Sequence, residues 1–331
     1  MDPLVSIVIP CYNEELYIYD CISSLLNGEY KNIEIIVVDG ASTDRTIEIL
    51  ENLKQSFNNI RVLSNPHRIT PVSMNIGINA ARGSFIMIAG AHSTYPYNFI
   101  SELLKYQRTL DCDVIGGAIE TKVKNENPKS RAIATVLSDK FGVGNSSFRT
   151  KSNGVFKVDT VPFGIYKRVI FDKVGFFNDL LIRNQDFELS KRIVRAGFKI
   201  FLVSHIRCVY YARENYSKLA RNSFDYGYWN ILTIYITKKL TSLAIRHYVP
   251  LFFIISIIMP LFLSFLTKTS LYFISLFILS IYSFFLLSLS LRFSFENKKS
   301  FFYLIFAYIT LHFSYGFGSL CALTRFDKIK R

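Results

Sequence analysis

Residues 33–44 read IEIIVVDGASTD, an apolar run rich in β-branched side chains that ends in an aspartate, a glycine and small polar residues. Such a run is typical of a buried parallel strand that opens into a polar loop at its C-terminal end. Because ligands of open α/β sheets bind beyond the carboxyl ends of the strands, Asp39 is placed where it can contact a nucleotide. Gly40 allows the backbone to approach a ligand closely at this point.

The same polar loop has a second interpretation. Ser42, Thr43 and Asp44 are residue types that cap helices, and a helix is predicted from about residue 45 to residue 53. Asp39 would then be an ordinary turn residue, and Asp44 an ordinary cap. The sequence of this loop alone leaves both interpretations open.

A second strand and loop precede this one. Residues 5–9 read VSIVI, and they are followed by PCYNEE and by a helical pattern of apolar side chains. Neither loop contains the glycine pattern of a dinucleotide-binding fold or of a P-loop. Two such units, each with a polar C-terminal loop, therefore predict a nucleotide cleft of another kind.

The composition is too apolar for one ordinary soluble domain, since 50% of the 331 residues are hydrophobic. The excess lies near the C-terminal end, where apolar segments cover residues 248–266, 271–291 and 301–323. Each segment approaches the ~20 residues needed to cross a bilayer. Buried core helices are the alternative, but the second segment contains no charged residue, which favours a membrane span.

The chain is basic, with a formal net charge of +14. This excess suits a domain that lies on an anionic cytoplasmic membrane surface and binds a diphosphate. A nucleic acid is the competing partner, but no recognised nucleic-acid-binding motif accompanies the charge, so we expect no nucleic acid to bind. The five cysteines are odd in number, scattered and without metal-type spacing, which fits a reducing cytosol.

Residues 5–15 and 34–46 together resemble the beginning of a family-2 glycosyltransferase of the GT-A fold. The resemblance implies an α/β fold with a Rossmann-like mixed sheet over residues 1–205 that binds a nucleoside-diphosphate sugar. In that family these strand ends hold the nucleobase and ribose, a role that the resemblance assigns to Pro10, Tyr12, Glu14 and Asp39. An amphipathic interfacial linker is expected over residues 206–247, and an α-helical membrane region over residues 248–331.

The next predicted strand of this kind, residues 84–89, ends at Gly90-Ala91-His92. In the resembled family an Asp-x-Asp motif stands here, and its carboxylates hold a divalent cation, Mg²⁺ or Mn²⁺, against the leaving diphosphate. The sequence is similar to an exopolysaccharide branch, of the succinoglycan type, that has Asp-Ala-His instead, and Gly90 departs even from that pattern. Gly90 and His92 are still expected to line the donor site. His92 is a candidate metal ligand or phosphate donor, or else a hydrogen-bonding loop residue.

Residues 159–168 and 174–179 resemble the same branch over a long block, and residues 183–193 continue the block into a predicted helix. By this resemblance Asp186 is the catalytic base of a Glu-Asp motif, in which Gln185 replaces the glutamate. A carboxylate at the start of a helix is also stabilised by the helix dipole, by roughly 0.3–1 kcal/mol. That structural role is the alternative for Asp186.

Two other segments have less regular patterns. Residues 111–117 predict a strand that ends at a Gly-Gly break, and the polar residues 122–152 predict a flap over the donor site. Residues 204–230 are rich in aromatic and basic side chains, as expected at membrane headgroups. The Gln-x-x-Arg-Trp motif of processive relatives is absent there, which argues against polymer extension. Arg213, Arg221 and Gln185 remain candidates for a phosphate or acceptor contact.

These patterns predict an inverting glycosyltransferase of the hexosyltransferase type, with two or three spans in the cell membrane and its catalytic domain in the cytoplasm. The enzyme would transfer one sugar from a nucleoside-diphosphate donor to a lipid-linked saccharide in surface polysaccharide biosynthesis. The length of the third apolar segment favours three spans over two. The rival hypothesis is a non-catalytic membrane protein that binds a nucleotide-sugar or a partner enzyme, because two family motifs are missing.

Overall fold

The computed structural model describes residues 2–144, 146–150, 153–212, 214–297 and 301–324. Arg213, one of the candidate phosphate contacts, lies outside the described residues. The chain divides into two compact units, residues 1–120 with 146–211 and residues 121–145 with 212–331.

The secondary structure alternates strands and helices in the first part of the chain and is helical in the last part. The strands are β1 (Val5–Cys11), β2 (Ile33–Asp39), β3 (Ile60–Ser64), β4 (Phe85–Ile88), β5 (Ser93–Thr94), β6 (Val114–Lys122), β7 (Val155–Lys157), β8 (Ile165–Lys167) and β9 (Ile200–Tyr211). The helices are α1 (Ile18–Leu26), α2 (Thr46–Ser56), α3 (Thr70–Ala80), α4 (Phe99–Thr109), α5 (Pro128–Val136), α6 (Lys140–Val143), α7 (Ser147–Thr150), α8 (Val169–Val174), α9 (Gln185–Arg195), α10 (Tyr216–Thr237), α11 (Val249–Thr267), α12 (Tyr272–Asn297) and α13 (Phe301–Leu323).

The strands form one mixed sheet in the order β3-β2-β1-β4-β8-β6-β9-β5, with β7 paired to β9. β1 runs parallel to β2 and β4, so that Ile7 lies opposite Ile35 on one side and Met87 on the other. β8 is antiparallel to both β4 and β6. The predicted mixed α/β sheet is confirmed, and the C-terminal ends of β1, β2 and β4 meet at one edge of it.

The core of the first unit lies on both faces of this sheet. Along β2, Ile35 and Val37 pack into one apolar cluster, whereas Ile36 and Val38 pack into the other. Alternate side chains of a strand point to opposite faces, so a continuous apolar run requires cover on both. α1 and α4 contribute to the first cluster, and α3 and α9 to the second.

The Gly-Gly pair does not end a strand, because β6 continues through Gly116 and Gly117 to Lys122. A Cβ at Gly116 would lie 2.6 Å from Val161 Cβ, and a Cβ at Gly117 would lie 2.6 Å from the Ile206 carbonyl oxygen. The two glycines therefore let neighbouring segments approach the strand closely. Residues 206–211, assigned to the linker from the sequence, complete strand β9.

The second unit is helical, and it includes part of the segment predicted as a flap. Within that segment, Pro128–Val136 form α5 and Lys140–Val143 form α6. α5 packs through three apolar side chains against residues of α10, α12 and α13. These side chains are Ala132, Ile133 and Val136, and their neighbours include Leu219, Leu286, Leu304 and Tyr308. Burial of one apolar face explains why a segment with many polar residues forms a helix there.

Three helices in the described part of the chain are long and apolar enough to cross a membrane. They cover Ile245–Thr267, Tyr272–Phe295 and Phe301–Leu323, with mean hydropathies of 2.5, 2.2 and 1.3. The third is the least apolar, and 39% of its most apolar window is buried within the protein, against 17% for each of the others.

Candidate active site

Hydrogen bonds join the loops after β1 and β2 at the edge of the sheet. The Asn13 N–H donates to Ser42 Oγ at 2.9 Å, and Asn13 Oδ1 accepts from the Thr43 N–H at 2.8 Å. The Glu14 N–H donates to Thr46 Oγ1 at 2.8 Å. Asn13 has a φ of 53°, a left-handed conformation that asparagine tolerates better than most residues. The small polar residues of both loops therefore build one rigid rim.

Asp39 is buried at the centre of this rim. Its Oδ2 accepts from the Ser42 N–H at 3.0 Å, and its Oδ1 accepts from Ser42 Oγ at 2.5 Å. The Cys11 thiol also points to Oδ1, at 3.7 Å, and burial together with the Asp39 charge raises the pKa of that thiol. Asp39 thus holds its own turn together, and its contact with a nucleotide remains a prediction.

Asp44 lies one residue before Arg45, the N-cap of α2, and bonds to the first residue of that helix. Its Oδ1 accepts from both Thr46 N–H and Thr46 Oγ1, at 3.0 and 2.5 Å, and its Oδ2 accepts from the Glu15 N–H at 3.2 Å. Desolvation acts to raise the pKa of Asp44, but these hydrogen bonds outweigh it and the pKa is lowered.

Tyr12 and Arg68 form an exposed pair beside the Asp39 turn. The Arg68 guanidinium carbon lies 5.9 Å from the centre of the Tyr12 ring, and Tyr12 is 46% exposed. A Cβ at Gly40 would lie 3.5 Å from Tyr12 Cβ and 3.7 Å from Arg68 Cα, so the two segments meet over this glycine. Pro10 lies below them in β1, opposite Val38. Sequence reasoning missed Arg68, and its only signal was a basic residue after the third strand.

Glu14 and His92 meet at the same edge. Glu14 Oε1 lies 3.1 Å from His92 Nδ1, which makes a hydrogen bond that fixes the orientation of the ring. Glu14 is 7% exposed, and its Oε2 is buried without a hydrogen-bond partner among the described residues. A buried carboxylate oxygen of this kind is costly unless a ligand supplies a donor.

The residues after β4 do not include the two carboxylates of an Asp-x-Asp metal site. A Cβ at Gly90 would lie 2.6 Å from Phe163 Cε1, so the Phe163 ring fills the space that a carboxylate side chain would need. His92 has one ring nitrogen against Glu14. Within the described ranges, no group of three or more His, Cys, Asp or Glu side chains is arranged to hold a metal ion. These residues therefore do not fit a divalent cation held by the protein in the Asp-x-Asp manner.

Asp186 is the second residue of α9, and the helix follows Asn184, whose φ of 63° turns the chain sharply. Its Oδ1 accepts from the Phe187 N–H at 2.8 Å. The residue is exposed on one side, yet the protein around its carboxyl removes hydration, and this desolvation raises the pKa of Asp186 despite the hydrogen bond. The charge of Asp186 also reaches the buried Tyr166 of β8 and helps to raise the pKa of that phenol.

The remaining candidates are divided between the units. Gln185 precedes Asp186 in the first unit, and its Oε1 is buried without a hydrogen-bond partner among the described residues. Arg221 lies on α10 of the second unit, where its side chain is exposed. The structure thus brings Glu14 and His92 into contact and places Pro10 and Asp39 on neighbouring strands, with Tyr12 directly after the first of them. Asp186 is linked to Tyr166 by an electrostatic interaction.

Known proteins resemble this chain over most of its length. A curated relative from Methanococcus voltae, dolichyl N-acetyl-alpha-D-glucosaminyl phosphate 3-beta-D-2,3-diacetamido-2,3-dideoxy-beta-D-glucuronosyltransferase, is 32% identical over 251 residues, which cover 70% of this chain and 77% of that protein. The succinoglycan biosynthesis protein ExoA of Rhizobium meliloti is 29% identical over 224 residues, 67% of each protein. The crystal structure of S. aureus TarS residues 1–349 is 18% identical, with a TM-score of 0.47 over 66% of this chain and 64% of that one.

The sequence model described as "Glycosyl transferase family 2" matches residues 6–175, which is more than half of the chain. The match begins in β1 and extends through β8 and α8, so it contains the sheet edge that carries Asp39, Glu14 and His92. This match and the identity to the M. voltae enzyme agree. The chain therefore belongs to family 2 of the glycosyl transferases.

Proposed function

We propose that this glycosyltransferase inverts the configuration of a hexosyl group as it moves the sugar from a nucleoside-diphosphate donor to a lipid-linked acceptor. The observation that carries the proposal is the position of Asp186, an exposed residue at the start of α9 whose pKa is raised. A carboxylate with a raised pKa is a stronger base than an ordinary aspartate.

The reaction is a single displacement. An acceptor hydroxyl attacks the anomeric carbon while the bond from that carbon to the diphosphate oxygen breaks. Asp186 takes the proton of the hydroxyl, and the bonding electron pair leaves with the diphosphate. A positioned base of this kind contributes roughly 10²–10⁴-fold to the rate. Attack from the face opposite the leaving group gives inversion.

The donor nucleotide lies along the ends of β1 and β2 in this proposal. Tyr12 and Arg68 offer a ring and a cation at the exposed side of the rim, and Asp39 and Pro10 form its base. The unpaired Oε2 of Glu14 accepts a hydrogen bond from a hydroxyl group of the donor. Gly90 and His92 line the side nearest the diphosphate, and no step depends on a metal ion.

A lipid-linked acceptor fits a chain with membrane helices, because both substrates are then confined to one surface. The name of the M. voltae relative includes a dolichyl sugar phosphate, and that of the R. meliloti relative includes succinoglycan biosynthesis. By analogy we place this chain in surface polysaccharide biosynthesis, with several spans in the cell membrane and the catalytic unit in the cytoplasm.

Release of nucleoside diphosphate from a purified membrane preparation tests the proposal. A panel of nucleotide-sugars is supplied with a lipid extract as the source of acceptor, and the anomeric configuration of the product is read by NMR. Donor-dependent and acceptor-dependent release with inversion supports the proposal. Binding of a nucleotide-sugar without release under any of these conditions supports the non-catalytic alternative, and retention of configuration contradicts the single displacement.

A further inference from the structure

One wall beside His92 combines aromatic rings with an arginine. The Tyr210 ring, in β9, lies 5.0 Å from the His92 ring, centre to centre, and the Tyr17 ring lies 6.4 Å from His92. The guanidinium carbon of Arg149, on α7, lies 5.3 Å from the centre of the same Tyr210 ring. Arg149 and His92 therefore both lie next to the Tyr210 ring.

Backbone hydrogen bonds hold this wall in place. β5 is antiparallel to β9, with Ser93 opposite Tyr210, and the Tyr211 N–H donates to the His92 carbonyl at 3.1 Å. The Arg149 N–H donates to the Ser146 carbonyl at 2.9 Å. A guanidinium beside an aromatic ring can interact with the ring and also bind an anion through its planar array of N–H groups.

The side chains around His92 favour such a cation. Glu14 places a carboxylate against His92, and Gly90 offers no side chain to hold a divalent cation. A diphosphate that approaches this edge therefore meets a negative group without the metal ion that Asp-x-Asp carboxylates would supply. An arginine beside His92 can supply positive charge at this place.

We propose that Arg149 binds the donor diphosphate and neutralises the charge that develops on it, as a catalytic residue in place of a metal held by carboxylates. The proposal rests on the proposed function. As the bond from the anomeric carbon to the diphosphate oxygen breaks, the electron pair stays on that oxygen. The oxygen gains one negative charge, which Arg149 meets with hydrogen bonds while Asp186 takes the acceptor proton.

Calorimetric titration of the full-length protein in detergent tests this role. The probes are ADP, CDP, GDP, UDP and dTDP, each compared with its monophosphate, because only the diphosphate carries the group that Arg149 is proposed to contact. We expect Arg149→Gln to weaken diphosphate binding by about 10- to 100-fold, the usual range for lost charge-assisted hydrogen bonds, and monophosphate binding much less. Arg149→Lys should recover part of the loss.

Two further variants separate this role from a structural one. Arg149→Met keeps an alkyl chain on Tyr210 and should behave like Arg149→Gln, with the melting temperature of the wild type. Lys157→Gln removes another cation, exposed on β7, and should bind as the wild type does. Equal losses for diphosphate and monophosphate, or no loss in either neutral variant, overturn the role of Arg149. If the wild type binds none of the diphosphates, the proposed donor class itself is wrong.

Discussion

Glu34 shows how one buried carboxylate joins two strands of the sheet to the turn before a third. It accepts from Ser6 Oγ at 2.6 Å and from the Arg82 N–H and Nε at 2.7 and 3.0 Å. Desolvation acts to raise the pKa of Glu34, but these hydrogen bonds prevail and the pKa is lowered. A lowered pKa in the folded state means that Glu34 stabilises the fold above the pKa of an unfolded glutamate, and that this stability is lost as pH falls through the folded-state pKa.

Glu34→Gln should therefore lower the free energy of unfolding near neutral pH by about 1–3 kcal/mol, since charged acceptors are replaced by a neutral one. The difference from the wild type should shrink as the solution is acidified. Thermal unfolding at neutral and acidic pH measures both effects. Glu51→Gln, which removes an exposed carboxylate paired with Lys54, is the control and should change little. Equal effects of the two substitutions would contradict the role of burial.

We expect a side chain at position 90 to clash with the Phe163 ring. Gly90→Asp places a Cβ where the Phe163 ring now lies, and overpacking of this kind costs about 1–3 kcal/mol. We expect a lowered melting temperature rather than a restored metal site. In a Phe163→Ala background the cost of Gly90→Asp should be smaller, so a double-mutant cycle measures the coupling. Strictly additive costs would show that the ring does not exclude the side chain.

For single residues, the sequence predicted the contacts of those whose partners are close along the chain. Asp44 accepts a hydrogen bond from the Thr46 N–H two residues away, as its residue type predicts. Phe163 and Arg149 could not be recognised in the same way, because their contacts join segments that are distant in the sequence. Phe163 also adopts a φ of 46°, which its residue type does not indicate.

Among the elements, the parallel strands were the most predictable. The run over β2 is apolar on both faces, and both faces are covered by helices. β6 was harder, because glycine pairs usually interrupt strands, whereas Gly116 and Gly117 serve close packing here. α5 was missed because its apolar face is narrow, and only its packing against α10 and α13 reveals it.

α10 and α13 meet along a seam of small residues. A Cβ at Gly318 would lie 2.0 Å from the Phe224 carbonyl oxygen, and a Cβ at Gly227 would lie 1.9 Å from the Tyr315 carbonyl oxygen. Ser319 Oγ donates to the Gly227 carbonyl at 3.1 Å. The two backbones are thus close enough that no larger residue fits at either glycine.

Gly318→Ala tests this seam, because close packing and an open position predict opposite changes in stability. Alanine favours an isolated helix over glycine by about 1 kcal/mol, so the substitution would be stabilising if the position were open. We expect it to be destabilising, because the added methyl group collides with a backbone oxygen. Thermal unfolding in detergent measures the sign, and Phe317→Leu, at an exposed neighbouring position, is the control. A raised melting temperature for Gly318→Ala would contradict the packing.

For the molecule as a whole, the second unit suggests which helices enter the bilayer. The end of α11 and the beginning of α12 expose large apolar side chains, among them Phe262, Phe265, Phe273 and Phe277. α13 instead bonds to polar groups near its middle. Tyr308 donates to Asp139 Oδ2 at 2.9 Å, and His312 Nε2 lies 2.8 Å from the Phe141 carbonyl oxygen. Such polar loop contacts are costly at the centre of a membrane.

We therefore propose that α11 and α12 cross the membrane while α13 stays at its cytoplasmic surface, although its length alone favoured a third span. A tag after Arg331 should then be cleaved by protease added on the cytoplasmic side. A tag at Lys268, between α11 and α12, should be cleaved only from the other side and serves as the control. If the tag after Arg331 is protected on the cytoplasmic side and cleaved from outside, α13 is a third span.

The most direct test of the catalytic mechanism is the turnover of Asp186→Asn, measured with nucleotide affinity and melting temperature on one preparation. Asparagine keeps the oxygen that accepts from the Phe187 N–H, but it cannot take the acceptor proton. We expect turnover to fall by at least roughly 10²-fold, with diphosphate affinity and melting temperature close to those of the wild type. Asp172→Asn, at an exposed position in the first turn of α8, should retain full turnover. Near-normal turnover of Asp186→Asn would contradict the role of Asp186 as the base.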